Sequence, residues 1–222
     1  MSTRITRDLV LALLGVAIGL PGAAAAQRQQ AGRLAFPAEL SVQTRDTLQW
    51  LADSARSAGI PAEAIAGKAA EGVLKGADDA RIIRAARSLL RELMIARDAL
   101  PPAAAPGTLA AGASALHAGV SPQTLRRLAR SGENAQQSNL GVALVTLADL
   151  VASRVPAESA ASSVEQLLRR NAPEGEMAAF RTAIARDIEA GRPPEAALQS
   201  RTRALVRSLD SRADGSLSGR RP

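Results

Sequence analysis

Four times along this chain an apolar-periodic segment runs into a short break built on glycine or proline, and a second periodic segment starts at once. The breaks are Gly59-Ile60-Pro61, Gly119-Val120-Ser121-Pro122, Arg154-Val155-Pro156 and Gly191-Arg192-Pro193-Pro194. Glycine closes a helix in the left-handed conformation and proline is tolerated in the first turn of the next, so each break reads as the turn of a helical hairpin. The copies beginning at 119, 154 and 191 recur within the period range of stacked helical repeats, whereas the interval from 59 to 119 is longer and holds an extra helix and a linker. The expected fold is all-α, with antiparallel helical hairpins stacked as a short irregular solenoid or closed into a helical bundle.

The periodicity predicts helices at 43–58, 61–75, 79–99, 108–118, 122–131, 137–153, 157–171, 174–190 and 194–209. The third is the clearest. Asp78 and Asp79 cap it, Ile82, Ile83, Ala86, Leu89, Leu90, Leu93 and Met94 share one face, and Arg84 and Arg91 lie opposite. The segment 137–153 is apolar almost all round, with Asp149 its only charge, and is expected to be the central, buried helix. Composition agrees: the chain is rich in Ala and Leu, has two Phe, one Trp and no Tyr, and shows no clustered β-branched run that would favour a strand.

Residues 101–107, Pro-Pro-Ala-Ala-Ala-Pro-Gly, interrupt the helices. In an extended polyproline form they would reach roughly 20 Å, enough for a packed crossover running back along the preceding helix. Residues 27–40 and 210–222 lack apolar periodicity and are expected to be a mobile N-terminal segment and a disordered tail, which leaves 41–209 as the helical domain.

Residues 1–26 read as an export signal. Arg4 and Arg7 precede an unbroken apolar run from Leu9 to Leu20, and Pro21-Gly22 breaks it before Ala24-Ala25-Ala26, a small-x-small site with cleavage expected between Ala26 and Gln27. The run is shorter than the about 20 residues a membrane span needs. An exported protein, periplasmic or secreted from a bacterium, is the expectation. With no cysteine it has no disulfide framework, thiol nucleophile or Cys-ligated metal, so its stability rests on packing.

The net charge is +7, and Arg outnumbers Lys 26 to 2, but the excess is spread along the chain and gives no specific nucleic-acid signal. Motifs that carry chemistry are weak. His117, the only histidine, has Ser114 one turn earlier but no acid near in sequence to orient it, and reads as a helix-terminal residue facing the dipole. The segment 210–218 resembles the start of a calcium loop, yet Arg212 and Arg221 occupy ligand positions, so no metal is expected. The close carboxylate pairs Asp78-Asp79 and Glu174-x-Glu176 sit at helix starts, where acids offset the dipole. Lys68, Glu71 and Lys75 fall at spacings that make two intrahelical ion pairs, and Gly72 and Gly76 on the same helix would let a neighbour approach closely.

The second arms of the hairpins end in cations: Lys75, then Arg126, Arg127 and Arg130, then Arg169 and Arg170, then Arg203 and Arg207. Stacked in register, these would line up as one basic ridge. The functional expectation is a non-enzymatic interaction or structural module binding another envelope protein, with no cofactor. The alternative is an electrostatic binder of an anionic polymer or membrane surface through the ridge. An enzyme whose acids assemble only in three dimensions, with Asp149 the first carboxylate to inspect, is the third reading.

Overall fold

The computed structural model describes residues 34–132 and 137–218, and the expectations for residues 1–33 lie outside them. Nine helices run through the described residues: α1 (Val42–Ser57), α2 (Glu63–Leu74), α3 (Asp79–Ala99), α4 (Pro106–His117), α5 (Pro122–Ser131), α6 (Gln137–Ala152), α7 (Ala157–Arg169), α8 (Glu174–Glu189) and α9 (Pro194–Ser218). The protein is all-α, as its periodicity predicts.

The turns share one device. Gly59, Gly76, Gly119, Arg154, Asn171 and Gly191 have positive φ, and after each the next N–H reaches back five residues to a helix carbonyl. Examples are Ile60 to Ala55 at 2.9 Å, Val120 to Ala115 at 3.0 Å and Val155 to Leu150 at 3.1 Å. This is the Schellman closure, in which a left-handed residue satisfies carbonyls the helix end leaves open. The residue after it is apolar and buried at Ile60, Val120, Val155 and Ala172, so those four turns are also pinned to the core. Two of the six turns lack glycine, and Asn171-Ala172-Pro173 is a turn of the same kind that a search for glycine passes over.

The helices pack in two layers. In the odd layer α1 lies on α3, α3 on α5, α5 on α7 and α7 on α9; in the even layer α4 lies on α6 and α6 on α8. Between layers α2 packs on α1 and α3, α4 on α3, α6 on α7 and α8 on α9. Next-nearest helices therefore pack within a layer, the solenoid-like arrangement that repeated hairpins generate. Because α1 already lies in the odd layer, α3 is the extra helix that restores the alternation.

Lateral side-chain bonds repeat the same spacing. Thr44 of α1 donates to Asp79 of α3 at 2.8 Å, Thr124 of α5 to Glu158 of α7 at 2.9 Å, and Ser159 of α7 to Glu195 of α9 at 3.1 Å. The even layer has its own link, with Arg181 of α8 donating to Asp149 of α6 at 2.6 Å. The core runs between the layers through fully buried residues such as Leu48, Ile82, Leu128, Leu144, Leu167 and Ile184. Helix α6 is central, touching α4, α7 and α8, and Gly141 lets α4 come close enough that an added Cβ would sit 3.1 Å from Thr108 Oγ1.

Several expectations are corrected. The linker is no extended strap: Ala104 N–H donates to the Pro101 carbonyl at 2.9 Å, and α4 begins at Pro106. The tail expected from Asp210 is helical through Ser218, held by an Arg170 to Asp210 hydrogen bond of 2.8 Å, which also removes the calcium-loop conformation. The described part of the N-terminal segment is packed, with Leu34 N–H donating to Gln49 Oε1 at 3.1 Å and Leu40 buried. Gly72 does sit at a close approach, but Gly76 is the left-handed end of α2 with open space around it.

Candidate binding groove between α2, α3 and α4

The even layer is interrupted after α2, which packs on α1 and α3 instead of continuing onto α4. The interruption leaves a groove of about 320 Å³ lined by Lys68 of α2, by Ala85, Ser88, Leu89 and Glu92 of α3, and by Ala113, Ser114 and His117 of α4. Ala85, Leu89 and Ala113 are its apolar lining, and the remaining groups are polar. Helix periodicity explains the set on α3: 88 and 89 lie three and four residues after 85, and 92 lies four and three residues after them, all on one side.

His117 Nδ1 lies 3.0 Å from Glu92 Oε1, and the same oxygen accepts from Ser88 Oγ at 3.1 Å. The Glu92 side chain is only 18% exposed, while the His117 ring is 72% exposed at the end of α4. The acid that orients the histidine thus comes from another helix, 25 residues back, where local inspection does not find it. Ser114 lines the same groove one turn before His117. Lys68 is held on the rim by Glu71 Oε2 at 2.9 Å, and Lys75 pairs with the other oxygen. Hydrogen bonds from Lys75 and then Lys68 lower the Glu71 carboxyl to about 2.

The predicted ridge cations divide between the layers. Lys75 caps α2, whereas Arg126, Arg127 and Arg130 on α5, Arg169 and Arg170 at the end of α7, and Arg203 and Arg207 on α9 belong to the odd layer. Arg127 contacts Glu158 at 2.9 Å and Glu165 at 3.3 Å, and Arg169 also pairs with Glu165, a nearly buried carboxylate that accepts from Ser131 at 2.9 Å. The Arg127 bond, followed by Thr124, lowers the Glu158 carboxyl below its usual range. Half the set, Lys75, Arg127, Arg169 and Arg170, is therefore engaged in ion pairs. Arg126, Arg130, Arg203 and Arg207 are exposed and have no ion-pair partner among the described residues.

The carboxylates singled out in the sequence are placed as structural groups. Asp78 accepts from Arg81 N–H at 2.8 Å as the cap of α3, Asp79 holds Ser41 and Thr44, and Glu176 pairs with Arg212. Asp149 is half exposed and tied to Arg181, although it sits on the most buried helix. Among the described residues no three His or acidic side chains gather as a metal site.

Charge is segregated between the layers. Formal charges within the helix bounds are 0 on α1, +2 on α3, +3 on α5, −1 on α7 and +1 on α9, against −1 on α2, 0 on α4, −1 on α6 and −2 on α8. The odd layer carries the positive excess. No protein-family model, curated protein or solved structure matches this chain.

Proposed function

We propose that the protein is an exported helical interaction module that binds another protein of the cell envelope, with the groove between α2, α3 and α4 as the contact surface. The observation that carries the reading is the groove itself, an apolar lining set with a few oriented polar groups at the one place where the even layer is interrupted. A site of that composition suits an inserted side chain or helix turn, whose apolar part is buried while its polar groups meet Ser88, Glu92 or His117. Repeat scaffolds present such surfaces without requiring catalytic groups. Export rests on the basic start, the apolar run and the Ala24-Ala25-Ala26 site.

The test immobilises residues 27–222, which include every described helix, and captures partners from a cell-envelope extract at low and physiological salt. Wild type and Leu89→Arg are compared after thermal denaturation has shown both folded. One protein retained by wild type at both salts and lost by the variant supports the reading. Retention of polyanions alone, released as salt rises, overturns it.

A further inference from the structure

The outward stripe of α3 combines cations with exposed apolar groups. Arg84, Arg87, Arg91 and Ile95 follow at spacings of three, four and four, and Met94 lies beside them. All five are exposed, Met94 by 40% and Ile95 by 41%. Arg91 reaches only Ser88 Oγ, at 3.4 Å, and the three arginines make no ion pair among the described residues. On the neighbouring α5, Arg126 and Arg130 are exposed one turn apart and line a cleft of about 400 Å³ whose other walls include Leu100, Pro101 and Leu140. Asp98 also lines that cleft, but Arg97 lies 3.0 Å from its carboxylate and offsets its charge.

We infer that this face of α3 and α5 is a peripheral docking site for a bilayer surface rich in anionic phospholipid. The arginines meet headgroup phosphates, and Met94 and Ile95 enter the boundary with the acyl chains. Charge complementarity selects an anionic occupant, since α3 at +2 and α5 at +3 are the two most positive helices of the odd layer. The apolar pair selects a membrane over a nucleic acid, because aliphatic side chains gain from the acyl boundary and nothing from a phosphate polymer. Stacking of bases needs aromatic rings, and the exposed Trp50 lies on α1, a helix with no net charge that is not part of this face. Contact is surface contact, since no described helix is long and apolar enough to cross a membrane.

The experiment is co-sedimentation of residues 27–222 with phosphatidylcholine vesicles and with mixed phosphatidylcholine and phosphatidylglycerol vesicles, at low and physiological salt. Omitting residues 1–26 keeps the apolar run at 9–20 from supplying its own lipid affinity. Binding is expected only to the mixed vesicles. The combined Arg84→Gln, Arg87→Gln and Arg91→Gln variant is expected to lose about 100-fold in partitioning, at roughly fivefold per arginine. Met94→Ser with Ile95→Ser is expected to weaken the binding that survives at physiological salt. A charge-matched control, Arg186→Gln with Arg203→Gln and Arg207→Gln, is expected to change partitioning far less. Equal binding to both vesicle types, equal loss in the control, or tighter binding of a single-stranded oligonucleotide than of the mixed vesicles at the same salt would each overturn the assignment. All substituted residues are exposed, and unchanged thermal unfolding confirms that the comparison is between folded proteins.

Discussion

The hydroxyl of Thr124 donates to a Glu158 carboxylate oxygen at 2.9 Å, 34 residues further along, and so binds the first turn of α5 to the first turn of α7. Thr44 and Asp79 make the same link between α1 and α3 at 2.8 Å. Both threonines sit three residues after a capping serine, Ser41 or Ser121, whose Oγ accepts their N–H. The short sequence Ser-x-Gln-Thr therefore does two tasks, closing its own helix and gripping the next helix of the layer.

Thr124→Val keeps shape but removes the hydroxyl from a nearly inaccessible position, so it should lower stability by about 1 kcal/mol. In combination with Glu158→Gln the loss should be smaller than the sum of the two single losses, because both changes weaken one bond. Urea unfolding of the four proteins measures the coupling, and strict additivity would show that the two residues act independently.

Arg154 occupies the left-handed region at φ 65° without being glycine. A side chain there costs roughly 1–2 kcal/mol. Arg154→Gly should therefore raise stability by about 1 kcal/mol, while Asn171→Gly should gain less because asparagine tolerates that region. The reverse change, Gly119→Ala at φ 101°, should destabilise. Thermal unfolding that ranks these three in any other order would contradict the account of the turns.

A Cβ on Gly72 would sit 2.6 Å from Ile82 Cγ1, across the seam between α2 and α3. Gly72→Ala should cost about 1–3 kcal/mol through overpacking, despite alanine's better helix propensity. Ile82→Ala removes the obstructing atom, so the double variant should be more stable than the two single losses imply. A double-mutant cycle with no coupling would place the clash elsewhere.

The Glu71 carboxyl is lowered from 4.5 to about 2 by Lys75 and Lys68. Its contribution to stability is thus fully present above about pH 4.5 and is lost as pH falls toward 2. The side chain is 42% exposed, so solvent and salt screen the effect. Glu71→Gln should lower the urea midpoint slightly at neutral pH, and the gap from wild type should close between about pH 4.5 and 2. A gap that persists at pH 2 would mean that helix propensity, not the ion pairs, causes it.

Much of this architecture is readable in the chain because its rules are local. Gly59, Gly119 and Gly191 announce their turns, Asp78 announces the start of α3, and the 3.6-residue period of Ile82, Ala86, Leu90 and Leu93 announces its buried face. Asn171 was harder, since only the backbone shows it taking glycine's place. Helix α9 continues past Asp210, and Arg170 at the end of α7 meets that residue, a tertiary contact that local periodicity does not encode. The groove lies further still from the sequence. Glu92 meets His117 only once α4 folds back over α3, and Arg127 meets Glu158 only once α7 packs on α5, whereas Arg169 finds Glu165 one turn earlier on its own helix. The outward arginines of α3 were visible as the polar face of an amphipathic helix. Their pairing with exposed Met94 and Ile95 was not, because Met94 reads as a member of the buried face and is exposed instead.

Packing between next-nearest helices also has a mechanical consequence. The longest-reaching side-chain hydrogen bond among the described residues, from Arg170 to Asp210, spans 40 positions. A force applied to the two ends therefore loads one seam at a time, and detaching the outermost hairpin leaves those behind it with their own partners. The protein should extend under tension as a staircase, each step releasing on the order of 100 Å of chain, the contour of one hairpin. A body of helices that all shared one centre would yield in a single rupture.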